Sequence, residues 1–367
     1  MMSKVPRRLF LTGVTGALGR EMLKVLLLST DYHLSLLVRR KNKITHQERI
    51  QKVLSSLEID RLTPSRITVY EGDVTLPDLG LKDSDQEKLI AETQEIYHIA
   101  ALTALNGSAA DCNRINLHGT EEVLKLAAAC YRRGKLEKFF YFSTAYVAGS
   151  LQNYRSKEDS LPENPAHANF YESSKYEAEK KVRSAMKDGL PVTIFRPSII
   201  VGDSKNGEVS EFNVIYPFMK LFAHGILTKL PTRLENTFNI VPIDFVVQAA
   251  LAIARKKGSL GKTFHLVSKQ PPSIGTLLEV KHREYSHLPD IEIVEPDQLH
   301  ESHLDDKEQF VYGMLKPYLG YLNNHLNFDT QNTDEALSGA GIEFPKTDYD
   351  FLSKLTRYAV NAGYILA

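Results

Sequence analysis

Six short runs rich in β-branched and aromatic residues recur through the first 200 positions: "RRLFLTG", "HLSLLVRR", "ITVYEGD", "EIYHIAA", "KFFYFSTAYV" and "PVTIFRPSII". Longer stretches with apolar residues at helical spacing separate them, among them 17–29, 113–133 and 171–188. Strands that alternate with helices cannot close as hairpins. They must lie parallel, with the helices covering both faces of the sheet. The predicted fold class is therefore α/β, a Rossmann-type doubly wound parallel sheet. Ligands of such sheets bind beyond the carboxyl ends of the strands, where the strand order reverses.

The rhythm breaks after "RPSIIVGDS". Residues 205–235 form a long insert with several aromatics, "NIVPIDFVVQAALAIA" reads as a strand-to-helix return, and 261–268 reads as one more strand. From about 270 the chain is polar and weakly periodic. A chain of 367 residues has room for a core and an appended lobe. The expected division is a dinucleotide-binding domain from 1–204 and 236–270, and a discontinuous substrate lobe from 205–235 and 271–367.

The first strand runs into "TGVTGALG" (12–19), three glycines three residues apart at the handover to a helix. Gly13 suits a tight turn, Gly16 lets backbone approach a pyrophosphate, and Gly19 lets the helix pack close to the sheet. The helix start offers unpaired N–H groups to phosphate. The turn as a whole, with Thr15, Ala17 and Leu18, is expected to line the cofactor. Arg20-Glu21 stands where a phosphate-loop Gly-Lys-Ser/Thr would be, so that alternative is excluded. The second strand ends "LLVRR". Arg39 and Arg40 occupy the region where an NAD-specific site usually carries an acid, and a guanidinium suits the 2′-phosphate of NADP. Asp73 and Val74 end the third strand and can contact adenine; Ala100 and Ala101 end the fourth and let the cofactor pass close to backbone.

"FSTAYV" and "YESSK" carry the chemistry. Tyr171 and Lys175 are spaced i, i+4 and share a helical face, while Thr144 ends the preceding strand. A phenol titrates near 10, so the expectation is that the ammonium one turn away, together with the positive charge of the oxidised nicotinamide, lowers it. Tyr171 would then pass a proton to a carbonyl oxygen that Thr144 holds, while hydride reaches the carbon.

At this point the chain resembles the extended short-chain dehydrogenase/reductase family. "TGVTGALG", "GDVT", "HIAA", "NLHGT", "FSTAYV", "YESSK" and "RPSIIVG" come in the family's order across roughly residues 7–270. The resemblance implies that Asn116 supports the lysine through water, and that Pro197, Ser198 and Ile199 line the nicotinamide. "GDVTLPDLGL", "NIVPIDFV" and "TFHLVS" look most like the fatty acyl-CoA reductase and carrier-protein thioester reductase group. That group implies NADP(H)-dependent conversion of an acyl thioester, on CoA or a carrier protein, to aldehyde and sometimes alcohol. Two alternatives stay open: a dehydrogenase or epimerase acting on a hydroxysteroid, flavonoid-like ketone or nucleotide sugar, and a silent NADP sensor.

Lysine plus arginine and aspartate plus glutamate both number 45, so a zero net charge gives no footprint for nucleic acid. The N-terminal "MMSKVPRRLF" lacks a secretory core, no apolar run spans a membrane, and Cys112 and Cys130 read as packing residues. A cytoplasmic protein is expected; the sequence sets no oligomeric state. In 212–227, Ile215, Phe218, Met219, Phe222 and Ile226 share a helical face. Core packing, an acyl-chain lid, or weak contact with a membrane surface would each account for it. "KHREYSH" (281–287) and "HESH" (300–303) lack a compact third ligand, so no metal site is expected.

Overall fold

A computed structural model describes residues 6–59, 64–151, 153–299, 301–323 and 326–365. Seven strands form the main sheet: β1 (Arg8–Thr12), β2 (His33–Val38), β3 (Ile67–Glu71), β4 (Glu95–His98), β5 (Lys138–Phe142), β6 (Val192–Pro197) and β7 (Thr263–Leu266). Their order is β7-β6-β5-β4-β1-β2-β3, parallel, with Leu9 opposite Leu34 on one side and Glu95 on the other. The chain starts at β1 and winds outward both ways, so the order reverses between β1 and β4. That is where a doubly wound sheet opens its ligand crevice. The central strands are buried on both faces, Leu9 to Thr12 and Phe139 to Phe142 alike, which is why they read as continuous apolar runs.

The main crossover helices are α1 (Ala17–Ser29), α2 (His46–Ser56), α3 (Asp83–Glu92), α4 (Gly119–Arg132), α5 (Phe170–Lys187) and α6 (Ile243–Arg255). Local chemistry sets their ends. Thr45 and Glu48 form a capping box that starts α2. At the end of α1, Arg66 donates to the carbonyls of Leu27, Thr30 and Tyr32, satisfying groups the helix leaves open. A π-helical turn, Asn113–His118, leads into α4. Leu126 and Ala127 of α4 and Val182 of α5 pack with Ile96, Phe139 and Ile194 into one core. Cys112 and Cys130 are both buried and free, and burial pushes the Cys130 thiol up to about 12.

The chain divides into two compact units: 1–144, 170–196 and 250–264, and 145–169, 197–249 and 265–367. The second unit holds short parallel strand pairs, Ile199–Val201 with Ile240–Pro242 and Lys229–Pro231 with Glu292–Val294. Its helices include Ile215–Ala223, Ile274–Glu284, Asp306–Leu322, Gln331–Leu337 and Tyr349–Asn361. Ile215, Phe218, Met219 and Phe222 are all buried, so the apolar stripe is core. Ile226 leaves that face, because Gly225 at φ +62° ends the helix ahead of it. Glu158 is buried in this unit and accepts from His265 N, Asn332 N and Thr333 Oγ1 at 2.5–2.8 Å. Burial nevertheless pushes its carboxyl up to about 7. Among the described residues no helix is long and apolar enough to cross a membrane.

Candidate active site

The glycine turn joins β1 to α1. Gly13 sits at φ +79°, and a Cβ there would lie 2.5 Å from Ala100 N. A Cβ on Gly19 would lie 2.1 Å from the Gly13 carbonyl oxygen, so α1 starts as close to the turn as backbone allows. At Gly16 the nearest such contact is 3.6 Å. Gly16 caps α1 without any side-chain bond, and no acid stands in the first turn. Space over Gly16 and the first N–H groups of α1, at Ala17 and Leu18, fit a pyrophosphate.

Beside this turn, Arg49 of α2 donates to the Arg39 carbonyl at 2.7 Å and to Thr15 Oγ1 at 3.0 Å. It ties the end of β2 to the glycine turn, a role no local motif announces. Arg39 lies half-exposed, 3.7 Å from the Asp73 carboxylate, and Arg40 is exposed. Asp73 also accepts from Thr75 N, and Val74 is buried. The ends of β2 and β3 thus bring together the residues expected to meet the adenosine half of the cofactor.

Thr144 lies two residues past the end of β5, and Tyr171 and Lys175 lie one turn apart at the start of α5. The Thr144 and Tyr171 hydroxyls are hydrogen-bonded to each other. Lys175 Nζ donates to the Phe142 carbonyl at 2.7 Å and stands 4.3 Å from the centre of the Tyr141 ring. The expectation that Lys175 lowers the phenol does not hold for the chain's own groups. Burial dominates and pushes Tyr171 up to about 12, against the Thr144 hydrogen bond. Burial also carries Lys175 down to about 7, with Glu179 pulling it upward.

A buried chain of hydrogen bonds runs behind the site. Thr12 Oγ1 accepts from Ile99 N and Ala100 N, both 3.3 Å, so its one proton goes to His98 Nδ1 at 2.8 Å. Thr120 Oγ1 donates to the Asn116 carbonyl at 2.6 Å and accepts from His98 Nε2 at 3.0 Å. This pattern assigns a neutral, Nε2-protonated His98. Burial, then the Lys175 charge, holds its imidazole down to about 3. Asn116 spends its amide on Leu102 N, Leu102 O and Ser174 Oγ, at 2.7, 3.0 and 2.9 Å. Ser174 in turn donates to the Tyr171 carbonyl, so Asn116 braces the first turn of α5.

With this geometry, residues 11–250 match the NAD-binding domain family described as Male sterility protein. The chain belongs to this family. A linear gramicidin synthase of Brevibacillus parabrevis is 28% identical over 97% of this chain, which covers 7% of that protein. Fatty acyl-CoA reductase 1 of Mus musculus is 29% identical over 69% of the chain and 55% of its own length. The chain thus spans at most about half of these curated relatives. The terminal R domain of the myxalamid PKS-NRPS pathway superimposes with a TM-score of 0.84 at 28% identity, covering 100% of this chain and 93% of that one.

As a member of the Male sterility protein family, the chain is a nicotinamide-dinucleotide-binding domain. Of the remaining expected contacts, Pro197 ends β6, Ser198 N donates to the Leu266 carbonyl, and Ile199 opens a short strand. Ser198 Oγ is buried with no hydrogen-bond partner among the described residues. Among those residues no three His, Cys, Asp or Glu are grouped to hold a metal. Residues 1–5 and His300, which entered the readings of the N-terminus and of "HESH", lie outside the described residues.

Proposed function

We propose that this chain is an NADPH-dependent reductase that converts an acyl thioester, carried on CoA or a carrier protein, to the aldehyde, and sometimes on to the alcohol. The observation that carries the reading is the pairing of the Thr144 and Tyr171 hydroxyls one turn from a buried Lys175. The relatives support the substrate class, since the R domain from the myxalamid PKS-NRPS pathway shares this fold and fatty acyl-CoA reductase 1 is similar in sequence. The dinucleotide-binding domain would take 1–204 and 236–270 and the substrate lobe 205–235 and 271–367, and a cytoplasmic setting suits CoA or carrier-bound substrates.

The backbone of Gly13, Thr15, Gly16, Ala17, Leu18 and Gly19 would hold the pyrophosphate. Arg39 and Arg40, with Arg49 behind them, would meet the 2′-phosphate; Asp73, Val74, Ala100 and Ala101 would flank the adenosine. Pro197, Ser198 and Ile199 would line the nicotinamide. When bound, the nicotinamide supplies hydride. Thr144 and Tyr171 hold the thioester oxygen as charge builds on it, and Tyr171 gives it a proton. The thiohemiacetal hydroxyl then returns its proton to the Tyr171 phenolate as the carbonyl re-forms and the C–S bond breaks, and the departing thiolate takes its proton from solvent, leaving thiol and aldehyde. A phenol that titrates near 12 is protonated at neutral pH, the state a reduction needs.

NADPH absorbance followed with a panel of acyl-CoAs, carrier-bound acyl groups, aldehydes, ketones and nucleotide sugars tests the reading. The expected result is thioester turnover that Tyr171→Phe abolishes. Turnover of ketones or sugars without any thioester would overturn the substrate class. Arg39→Asp is expected to erode the preference for NADPH over NADH by about 10-fold; equal use by the wild type would overturn the phosphate assignment.

A further inference from the structure

Glu179 lies on the same face of α5 as Tyr171 and Lys175, one turn beyond the lysine, and has no solvent exposure. Three elements converge on its carboxylate. Ser143 Oγ donates to it at 2.6 Å, and Ser143 immediately precedes Thr144 on the segment leaving β5. Arg183 Nε of α5 donates at 2.8 Å. Arg196, equally buried near the end of β6, donates through Nη2 at 2.6 Å and Nε at 3.0 Å. Burying such a charge network is expensive, and an apolar trio of the same volume would hold these elements together at least as well. Stability alone therefore does not account for charge at this position.

Lys175 supplies the reason. Its ammonium is buried, and the groups around it are a carbonyl (Phe142), an aromatic face (Tyr141) and a neutral imidazole on β4 (His98), with Tyr171 one turn earlier on α5. Glu172, on the same helix, acts on Tyr171, and Arg183 and Arg196 are both held by Glu179. Glu179 is the acid whose charge favours the ammonium. Resting on the reductase reading above, we propose that Glu179 is a positioning residue of the active site. It locks the Ser143–Thr144 segment and α5 in register, and it keeps Lys175 charged against its own burial. The carboxyl is suited to this, since Arg196 and Arg183 hold it down to about 2 despite burial, leaving it ionised throughout the working range.

The test reads the lysine directly. Lysine labelled at its ε-carbon is titrated by NMR in the intact chain, with Lys175 assigned by its loss in Lys175→Met. The wild-type midpoint is expected near 7, and Glu179→Gln is expected to lower it by about one pH unit or more. Because Glu179→Gln strands Arg196, the double variant Glu179→Gln/Arg196→Met removes both charges together and is expected to move the midpoint the same way. Glu179→Asp, which keeps the charge, restores the midpoint. In assays the high-pH limb of kcat shifts with it while KM for thioester holds. An unchanged midpoint in either folded Gln variant overturns the proposal; so does a double variant that cannot fold, because the network would then be structural. The titration needs no substrate, so a chain that reduced no thioester would still decide it.

Discussion

Thr144 and Tyr171 share one hydrogen bond, yet their contributions to a reduction differ. Tyr171 gives a proton, whereas Thr144 only orients and stabilises oxygen. Thr144→Val, which keeps the shape and removes the hydroxyl, is expected to lower kcat by about 10²–10³-fold with little change in KM, read from initial rates of NADPH oxidation. These residues are legible because their signal is local: a Tyr and a Lys at i, i+4 and a threonine just past a strand end. The direction of the phenol's shift is not, because it depends on how much protein packs around one oxygen. No local pattern marks Arg49 or Glu179 either, and the motifs "HIAA" and "FSTAYV" contain His98 and Ser143 without naming their partners. Each acts through a partner far along the chain, such as Arg49 with Thr15 or Glu179 with Arg196, and no spacing rule reaches that far.

Helix α1 shows how a single missing atom positions an element. Its bounds are readable because the glycine turn fixes its start and the apolar spacing runs to Ser29. A methyl at Gly19 would press the Gly13 carbonyl to 2.1 Å, an oxygen fixed by backbone that cannot step aside. Gly19→Ala is therefore expected to cost about 1–3 kcal/mol and weaken nucleotide binding, by urea unfolding and by titration of NADPH fluorescence. Gly16→Ala, where the nearest contact is 3.6 Å, should leave stability nearly unchanged while still weakening the cofactor. The second unit is far less legible. Asp306–Leu322 carries Pro317 inside it, and Ile215–Ala223 follows Val214 at φ +46° and stops at Gly225. Helices this short or interrupted are set by packing against neighbours, so neither propensity nor periodicity marks their ends.

At the scale of the whole molecule the two compact units carry opposed pH dependences. His98, in the first, is buried neutral, with a folded value near 3 against an ordinary 6.5. The unfolded chain takes up that proton first, so stability is present above pH 6.5 and is lost as pH falls below it, by about 1.4 kcal/mol per unit. Glu158, in the second, has a folded value near 7 against an ordinary 4.5. There the folded state holds the proton more tightly, so stability is present below 4.5 and is lost as pH rises toward 7. Between pH 5 and 7 each amounts to about 2 kcal/mol, with opposite signs. Wild-type unfolding by urea should accordingly vary little over that range, although its order changes: the first unit gives way earlier at pH 5, the second at pH 7. His98→Gln is expected to flatten only the acid loss and Glu158→Gln only the alkaline one. The two variants therefore tilt the stability curve in opposite directions. Parallel curves for wild type and both variants would show that neither burial perturbs its group.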